Sequence, residues 1–153
     1  MKKRNLNRII DSPRFCMNIL VALEERNRLG KKSIGVLVDP DKVRDPNELN
    51  HLVNLSNENC IDFFLVGGSL ITTTNLSEVI KHIKDQVSIP IIIFPGSSIQ
   101  IDSNADAILF LSLISGLNPD LLIGQHVVAA PIIKNNQLEV MPTGYMLINS
   151  GRT

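Results

Sequence analysis

The chain has 153 residues, of which 44% are hydrophobic and 20% charged, and its formal net charge is zero. This length is typical of one domain, and this composition excludes a disordered chain, a coiled coil and a collagen-like repeat. Only 4% of the residues are aromatic and tryptophan is absent. We therefore expect no base-stacking surface and no nucleic-acid partner.

The charge is distributed unevenly along the chain. Residues 1–32 carry nine Lys or Arg against three acidic residues (+6), and the remainder carries six against twelve (−6). We interpret residues 1–32 as a basic N-terminal helix that leads into a single domain formed by residues 33–153. Such a helix can contact phosphates or the anionic face of a membrane, which would give peripheral membrane contact. A solvated outer face is the more common role of a charge run and is the favoured interpretation.

The cysteines and the apolar segments indicate the compartment. Cys16 and Cys60 form no CxxC pair, and we interpret both as small buried thiols of a reducing compartment. Polar residues interrupt the N-terminus where a secretory signal would need an apolar segment. No apolar run approaches the roughly 20 residues that span a bilayer. We therefore expect a cytoplasmic protein.

Helices and strands alternate along the predicted chain. Capping residues placed before a proline mark helix starts at Ser12-Pro13, Asp45-Pro46 and Asn118-Pro119. In chain order, the predicted elements are strands Ser33–Val38, Asp62–Val66, Pro90–Phe94, Ala107–Leu113 and Tyr145–Ile148, with helices at 13–28, 46–59, 75–87 and 119–130. None of the strands alternates polar with apolar residues, so each is expected to be buried on both faces of a parallel sheet. The fold class is α/β.

Two features of this pattern are irregular. The segment between Phe94 and Ala107 is too short and too rich in turn residues for a full crossover helix, so we expect one helical turn or an extended link. No helix follows the last predicted strand, and an uncovered strand edge invites aggregation. The chain is therefore interpreted as the amino-terminal part of a longer domain, with a complete five-stranded open sheet as the alternative.

Polar and small residues follow the strands, where ligands of parallel α/β sheets bind. Asp39 and Asp41 come after the first strand, and Gly67, Gly68 and Ser69 after the second. Because Asp39 and Ser69 follow neighbouring strands, we expect them to lie side by side. Their carboxylate and hydroxyl oxygens are ligands that suit Mg²⁺. The two glycines offer unobstructed N–H groups to a phosphate or diphosphate. A capped turn explains Asp-Pro-Asp-Lys equally well, and a tight turn also requires glycine.

Other catalytic patterns are missing from the sequence. There is no Walker lysine motif, no GxGxxG and no Ser-His-Asp arrangement. His51, His82 and His126 lie in helical patterns without metal-ligand spacing, so we expect packed or surface histidines. The residues alone identify no catalytic group.

Six segments, in order, carry a resemblance to one known family: Gly35–Lys42, Phe64–Ser69, Pro90–Gly96, Asp106–Leu113, Ile123–Gln125 and Pro142–Ile148. Together they resemble the geranylgeranylglyceryl phosphate synthase family, the phosphoglycerol prenyltransferases. Each segment alone is a weak signal, but the series covers nearly the whole chain from about residue 12 onward and is specific. Leu37-Val38 before the first aspartate resembles the branch of the family that lacks a lysine there.

The resemblance implies a TIM (β/α)8 barrel, of which about the first five βα units are present here. It implies Mg²⁺-dependent formation of an ether bond between sn-glycerol 1-phosphate and a polyprenyl diphosphate of the geranylgeranyl type, in phospholipid biosynthesis. It also implies Mg²⁺ ligands at Asp39 and Ser69, and we take Asp41, Gly67 and Gly68 as candidate substrate-binding residues. Members of the family are commonly homo-oligomers and replace the third crossover helix with a loop or strand-like segment.

The sequence departs from the family pattern at its end. The family holds glycerol phosphate with a Tyr-x-Glu segment and glycine-rich loops after the sixth to eighth strands, and a barrel takes about 250 residues. We therefore expect a truncated chain that is inactive alone. The alternatives are a stand-alone α/β module that binds a phosphorylated ligand without catalysis, and another phosphate-using TIM-barrel enzyme.

Overall fold

A computed structural model describes residues 18–43, 45–68, 76–98 and 100–148. In these ranges strands and helices alternate, as predicted for an α/β chain. The elements are α1 (Ile19–Arg28), β1 (Gly35–Val38), α2 (Pro46–Glu58), β2 (Phe63–Val66), α3 (Leu76–Gln86), β3 (Ile91–Ile93), β4 (Ala107–Leu113), α4 (Gln125–Asn136) and β5 (Glu139–Tyr145). Cys16, Ser69 and the predicted helix cap at Ser12-Pro13 lie outside the described residues.

All five strands pair in parallel, in the order β1-β2-β3-β4-β5. Parallel neighbours require a crossover that returns the chain to the starting edge of the sheet, and α2, α3 and α4 provide three of the four crossovers. The carboxyl ends of the strands therefore all lie at one edge. Any site built from the residues that follow the strands must form at this carboxyl edge.

Alternate side chains of the strands pack on opposite faces of the sheet. One face, including Phe64, Val66 and Ile93, packs with α2, α3 and α4 in the larger core. The other face, including Ile92, Ala107 and Met141, forms a smaller core with α1. Burial on both faces holds for β3, whose three residues are all buried. The prediction that every strand is buried on both faces was wrong for β1 and β5, in which Leu37 and Val140 are exposed.

Helix α1 is fixed at the amino edge of the sheet, opposite the carboxyl edge. The Glu139 carboxylate, at the start of β5, accepts hydrogen bonds from the N–H groups of Ile19 (2.7 Å) and Leu20 (2.8 Å). Near the other end of the helix, Arg26 forms a 3.1 Å ion pair with Asp62, and both side chains are about nine-tenths buried (11% and 8% exposed). The one arginine of α1 that is buried thus has a structural partner, and membrane contact through this helix stays a prediction.

The link between β3 and β4 contains no helix in its described residues, as the sequence predicted. Its own polar groups hold it instead: the buried Gln100 side chain accepts from the N–H of Gly96 at 2.7 Å, and the Asp102 carboxylate accepts from the N–H of Asn104 at 2.8 Å. Burial raises the pKa of Asp102, but hydrogen bonds from Asn104 and Ser77 and the charge of Lys81 together outweigh it and lower the pKa. The link is an ordered substitute for a crossover helix.

Two predicted boundaries were wrong. The fifth strand is not Tyr145–Ile148 but Glu139–Tyr145, which pairs with β4 along all seven residues. Pro142 and Gly144 conceal this strand in the sequence, because both residue types are disfavoured in strands. The last helix continues past Pro131 to Asn136 rather than ending at residue 130. The other helices agree with the prediction within the described residues.

No helix in the described part of the chain is both long and apolar enough to cross a membrane.

We expect Glu139→Ala to destabilise the protein by about 1–3 kcal/mol, because it leaves two N–H groups at the start of α1 without their partner. Glu139→Gln keeps an acceptor oxygen and should lose less. Urea unfolding measures the loss, and amide exchange should show it concentrated in α1. Glu24→Ala, an exposed change in the same helix, is the control; equal losses in Glu139→Ala and Glu24→Ala would contradict this anchoring role.

Candidate functional site

Asp39 lies at the carboxyl edge, immediately after β1. Its side chain caps a single 3-10 turn formed by Pro40–Lys42, accepting a hydrogen bond from the N–H of Asp41 at 3.2 Å. The second carboxylate oxygen is 3.3 Å from the ammonium nitrogen of Lys42. The Asp39 side chain is 24% exposed, so it is largely enclosed but still open to a ligand.

Gly67 and Gly68 bring the end of β2 against its two neighbours. Gly67 has φ +154°, and a Cβ there would overlap the carbonyl oxygen of Phe94 at the end of β3. A Cβ on Gly68 would stand 3.0 Å from a carboxylate oxygen of Asp39. Side chains at these two positions would therefore push apart the strand ends or displace the carboxylate. The structure brings Asp39, Gly67 and Gly68 together, as the sequence predicted.

Of the other two predicted site residues, Asp41 joins this group only through its backbone N–H, and Ser69 lies outside the described residues. Asp41 is half-buried within the 3-10 turn and is not among the described residues that line the cavities at this edge. Its N–H serves the Asp39 carboxylate, which is a positioning role. Ser69, the second predicted metal ligand, lies outside the described residues, so its place beside Asp39 stays a prediction.

Two neighbouring cavities open at the carboxyl edge. The larger, about 510 Å³, is lined by Asp39, Lys42, Glu48 and both glycines among others. The smaller, about 240 Å³, is lined mainly by apolar side chains of β4, the link and the start of α4. A cavity that holds a carboxylate and an ammonium group among apolar side chains therefore adjoins one that is lined mainly by apolar side chains.

Gly68, Phe94 and Tyr145 line both cavities and form their common wall. The two rings meet edge to face, with centroids 5.8 Å apart and an interplanar angle of 80°. Tyr145 stands at the end of β5 and Phe94 at the end of β3, so the wall lies across the carboxyl edge. An aromatic wall offers apolar area and π-electron density to whatever crosses it.

The smaller cavity lies between the link and the start of α4. The link contributes Pro95, Ser97 and Ile101 to its lining. On the opposite side, His126 of α4 donates from Nε2 to the carbonyl oxygen of Leu111 at 2.7 Å and stacks on Phe110, with ring centroids 4.1 Å apart. This contact fixes the start of α4 to β4. The link and α4 thus enclose a defined apolar cavity.

The described residues contain no cluster of three or more His, Cys, Asp or Glu that could hold a metal ion. His82 donates from Nε2 to the side-chain oxygen of Asn50 at 2.7 Å, so His82 and His126 have packing partners, as predicted. A lone, partly enclosed carboxylate at the strand edge still fits Mg²⁺, which takes one or two protein ligands and keeps several waters. Asp39 meets that requirement.

The sequence reasoning missed three residues of this site: Lys42, Phe94 and Tyr145. A signal existed for the tyrosine, because it is the only Tyr of the chain and follows a glycine at the end of an apolar stretch. Its role was hidden because the fifth strand was predicted to begin at Tyr145, whereas Tyr145 is the last residue of β5 and therefore stands at the carboxyl edge. Lys42 is the last residue of the Asp-Pro-Asp-Lys motif, and the sequence pattern indicated no role for it.

Known proteins match this chain over most of its length. The model of the PcrB family matches residues 27–153. The chain is 49% identical over 132 residues to a geranylgeranylglyceryl phosphate synthase of Spirosoma linguale, covering 86% of this chain and 53% of the relative. It is 43% identical over 117 residues to the synthase of Sulfolobus acidocaldarius, covering 76% and 46%.

A solved structure shares the fold. It is (S)-3-O-geranylgeranylglyceryl phosphate synthase from Thermoplasma acidophilum in complex with sn-glycerol-1-phosphate, with a TM-score of 0.80 and 31% identity over 89% of this chain and 55% of that one. The likeness confirms the predicted fold class, a TIM barrel represented here by five of its strands. The chain spans about half the length of the curated relatives it matches.

Substitution of Gly67 should mainly affect stability, and substitution of Gly68 should mainly affect Mg²⁺ binding. We expect Gly67→Ala to lower the free energy of unfolding by at least about 2 kcal/mol, because it adds backbone strain and an overlap with Phe94. Gly68→Ala should cost about 1 kcal/mol or less but weaken Mg²⁺ binding, because its methyl group presses on the Asp39 carboxylate. Urea unfolding and calorimetric titration with Mg²⁺ separate the two effects. Equal stability of both variants would argue against the close approach at Gly67.

Proposed function

This chain belongs to the PcrB family, and we propose that it is part of a prenyltransferase that joins sn-glycerol 1-phosphate to a polyprenyl diphosphate through an ether bond. The observation that carries the proposal is that the cavity lined by Asp39 shares a wall, formed by Gly68, Phe94 and Tyr145, with an apolar cavity on the same sheet edge. A prenyl diphosphate is itself a charged head joined to an apolar chain. The names of the relatives support the same reaction.

The diphosphate head fits the larger cavity. Asp39 would hold Mg²⁺ there, with Ser69 as a second proposed ligand. The N–H of Gly67 already donates to the carbonyl of Val38 at 3.0 Å, so we assign Gly68 rather than Gly67 as the backbone donor to the diphosphate. Bound Mg²⁺ would supply neutralisation of the charge that develops on the departing diphosphate. Asp41 would act by fixing the turn that orients Asp39.

The prenyl chain fits the smaller cavity, which is lined by Ile108, Phe110 and Leu113 among others. Burial of a hydrocarbon chain there is favourable by about 0.8 kcal/mol per CH₂ group. With the head at Asp39 and the tail in this cavity, the first carbon of the chain passes the wall of Phe94 and Tyr145. That carbon gains positive charge as the diphosphate departs, and aromatic faces attract positive charge.

The reaction balances as a substitution at the allylic carbon. The bond between the first prenyl carbon and the diphosphate oxygen breaks, and the diphosphate leaves with its electron pair. The C3 hydroxyl of glycerol 1-phosphate forms the new C–O bond and loses its proton. No described residue of this chain is assigned as the base.

The remaining parts of the proposal concern the whole protein. Use of the product in phospholipid synthesis, a cytoplasmic location and homo-oligomeric assembly rest on the family resemblance. Peripheral contact with a membrane fits a substrate that partitions into lipid, and the charge of residues 1–32 supports it.

We expect Asp39→Asn to abolish Mg²⁺-dependent binding of pyrophosphate, because an amide oxygen carries no charge to hold the cation. Asp41→Asn keeps the backbone N–H and should weaken binding much less. Isothermal titration of the 153-residue chain with pyrophosphate, with and without Mg²⁺, measures both. A larger loss in Asp41→Asn would reverse the proposed roles of the two carboxylates.

The activity itself is tested by complementation. We expect no incorporation of labelled sn-glycerol 1-phosphate into prenyl ether by the chain alone. Incorporation should appear when the chain is mixed or fused with the part of the Spirosoma linguale relative that it does not span. The Asp39→Asn chain in the same mixture is the matched control. Binding of pyrophosphate without any activity in a folded mixture would favour a phosphate-binding module instead.

A further inference from the structure

The Lys42 side chain forms an exposed ion pair with Asp39, the proposed Mg²⁺ ligand. It follows Asp39 by three residues, its ammonium nitrogen lies 3.3 Å from Asp39 Oδ2, and it is 83% exposed. An exposed ion pair contributes little to stability, because water solvates both charges and the lysine loses rotamer freedom. A lysine held by so weak a contact is free to exchange its partner.

Lys42 is also the only lysine or arginine among the described residues that line the two cavities. The larger cavity otherwise holds the carboxylates of Asp39 and Glu48. A diphosphate entering this compartment therefore meets a single described ammonium group, and that group already bonds the carboxylate proposed to hold Mg²⁺.

We infer that Lys42 exchanges its partner during substrate binding: it neutralises Asp39 in the empty site, yields that carboxylate to Mg²⁺, and then pairs with the diphosphate. The inference rests on the proposed function. Lys42 and the metal compete for the same oxygen, so the lysine weakens metal binding when no anion is present. Once Asp39 holds the metal, the released ammonium group is attracted to the phosphate oxygens through charge-assisted hydrogen bonds.

The exchange makes binding of metal and diphosphate cooperative. Displacing Lys42 from Asp39 costs free energy when the metal binds alone, and the pairing of the lysine with a diphosphate offsets that cost. By linkage, the diphosphate must raise the affinity for Mg²⁺ by the same factor that Mg²⁺ raises the affinity for the diphosphate. Lys42 is thus a positioning and specificity residue that favours binding of Mg²⁺ together with a diphosphate over binding of Mg²⁺ alone.

The test compares Lys42→Met with the wild-type chain in two separate titrations. Without anion, the variant should bind Mg²⁺ about two- to five-fold more tightly, the range expected from removing an exposed ion pair. At a free Mg²⁺ concentration that saturates each protein, it should bind pyrophosphate about ten-fold more weakly. Calorimetry follows the metal, and fluorescence of Tyr145, the only tyrosine in a chain without tryptophan, follows the anion.

Two further variants sharpen the comparison. Lys42→Arg retains the charge, so pyrophosphate affinity should be preserved and Mg²⁺ affinity should not rise. Lys31→Met removes an exposed lysine before β1, on the side of the sheet away from the cavities, and should change neither affinity. A loss of fold would move both affinities in the same direction, whereas exchange moves them in opposite directions.

The outcomes separate this inference from the proposed function. If Lys42→Met changes the Mg²⁺ and pyrophosphate affinities in the same direction, or changes neither of them, the proposed exchange is wrong. Asp39→Asn still reports whether the metal site exists. If Asp39→Asn leaves Mg²⁺ affinity intact, the metal site of the proposed function is wrong, and the exchange is overturned with it.

Discussion

The close approach of Gly67 to the end of β3 is the constraint on which the site depends. The Gly67 N–H donates to Val38 of β1 at 3.0 Å, while the position of its missing Cβ is filled by the carbonyl of Phe94. One residue thus fixes the ends of three strands relative to each other. Gly68 follows directly and leaves room for the Asp39 carboxylate. The geometry of the larger cavity is therefore set by backbone packing rather than by a network of side chains.

The ordered link between β3 and β4 determines the smaller, apolar cavity, as Gly67 determines the larger one. A crossover helix would fill the outer surface of these two strands with its own side chains. The link instead satisfies its polar groups internally, through Gln100 and Asp102, and leaves the apolar surface of β4 and α4 open. In the proposed function, this difference in backbone structure would separate the head of a prenyl diphosphate from its tail, with Phe94 and Tyr145 at the boundary.

The sequence predicted what depends on local signals. Capping residues located α2, and short apolar runs located the first four strands as members of a parallel sheet. The aspartate and glycines of the site followed from the rule that parallel sheets bind ligands at their carboxyl ends. The fifth strand was misplaced because Pro142 and Gly144 disfavour a strand locally, and the pairing with β4 that overrides this preference is a tertiary fact. The aromatic wall was missed for a similar reason, since Phe94 and Tyr145 are 51 positions apart in the chain and meet only in the folded sheet.

The contact between Glu139 and the start of α1 has a consequence for biosynthesis. The carboxylate and the N–H of Ile19 are 120 positions apart in the chain. At about 5–20 residues per second, a ribosome adds this length in roughly 6–24 s, so α1 emerges early and waits for its partner. During that interval the smaller core on which Ile19 packs lacks Met141 of β5 and is incomplete. The first described helix to be synthesised is therefore among the last to dock, and its apolar face is the one that a nascent-chain chaperone would meet.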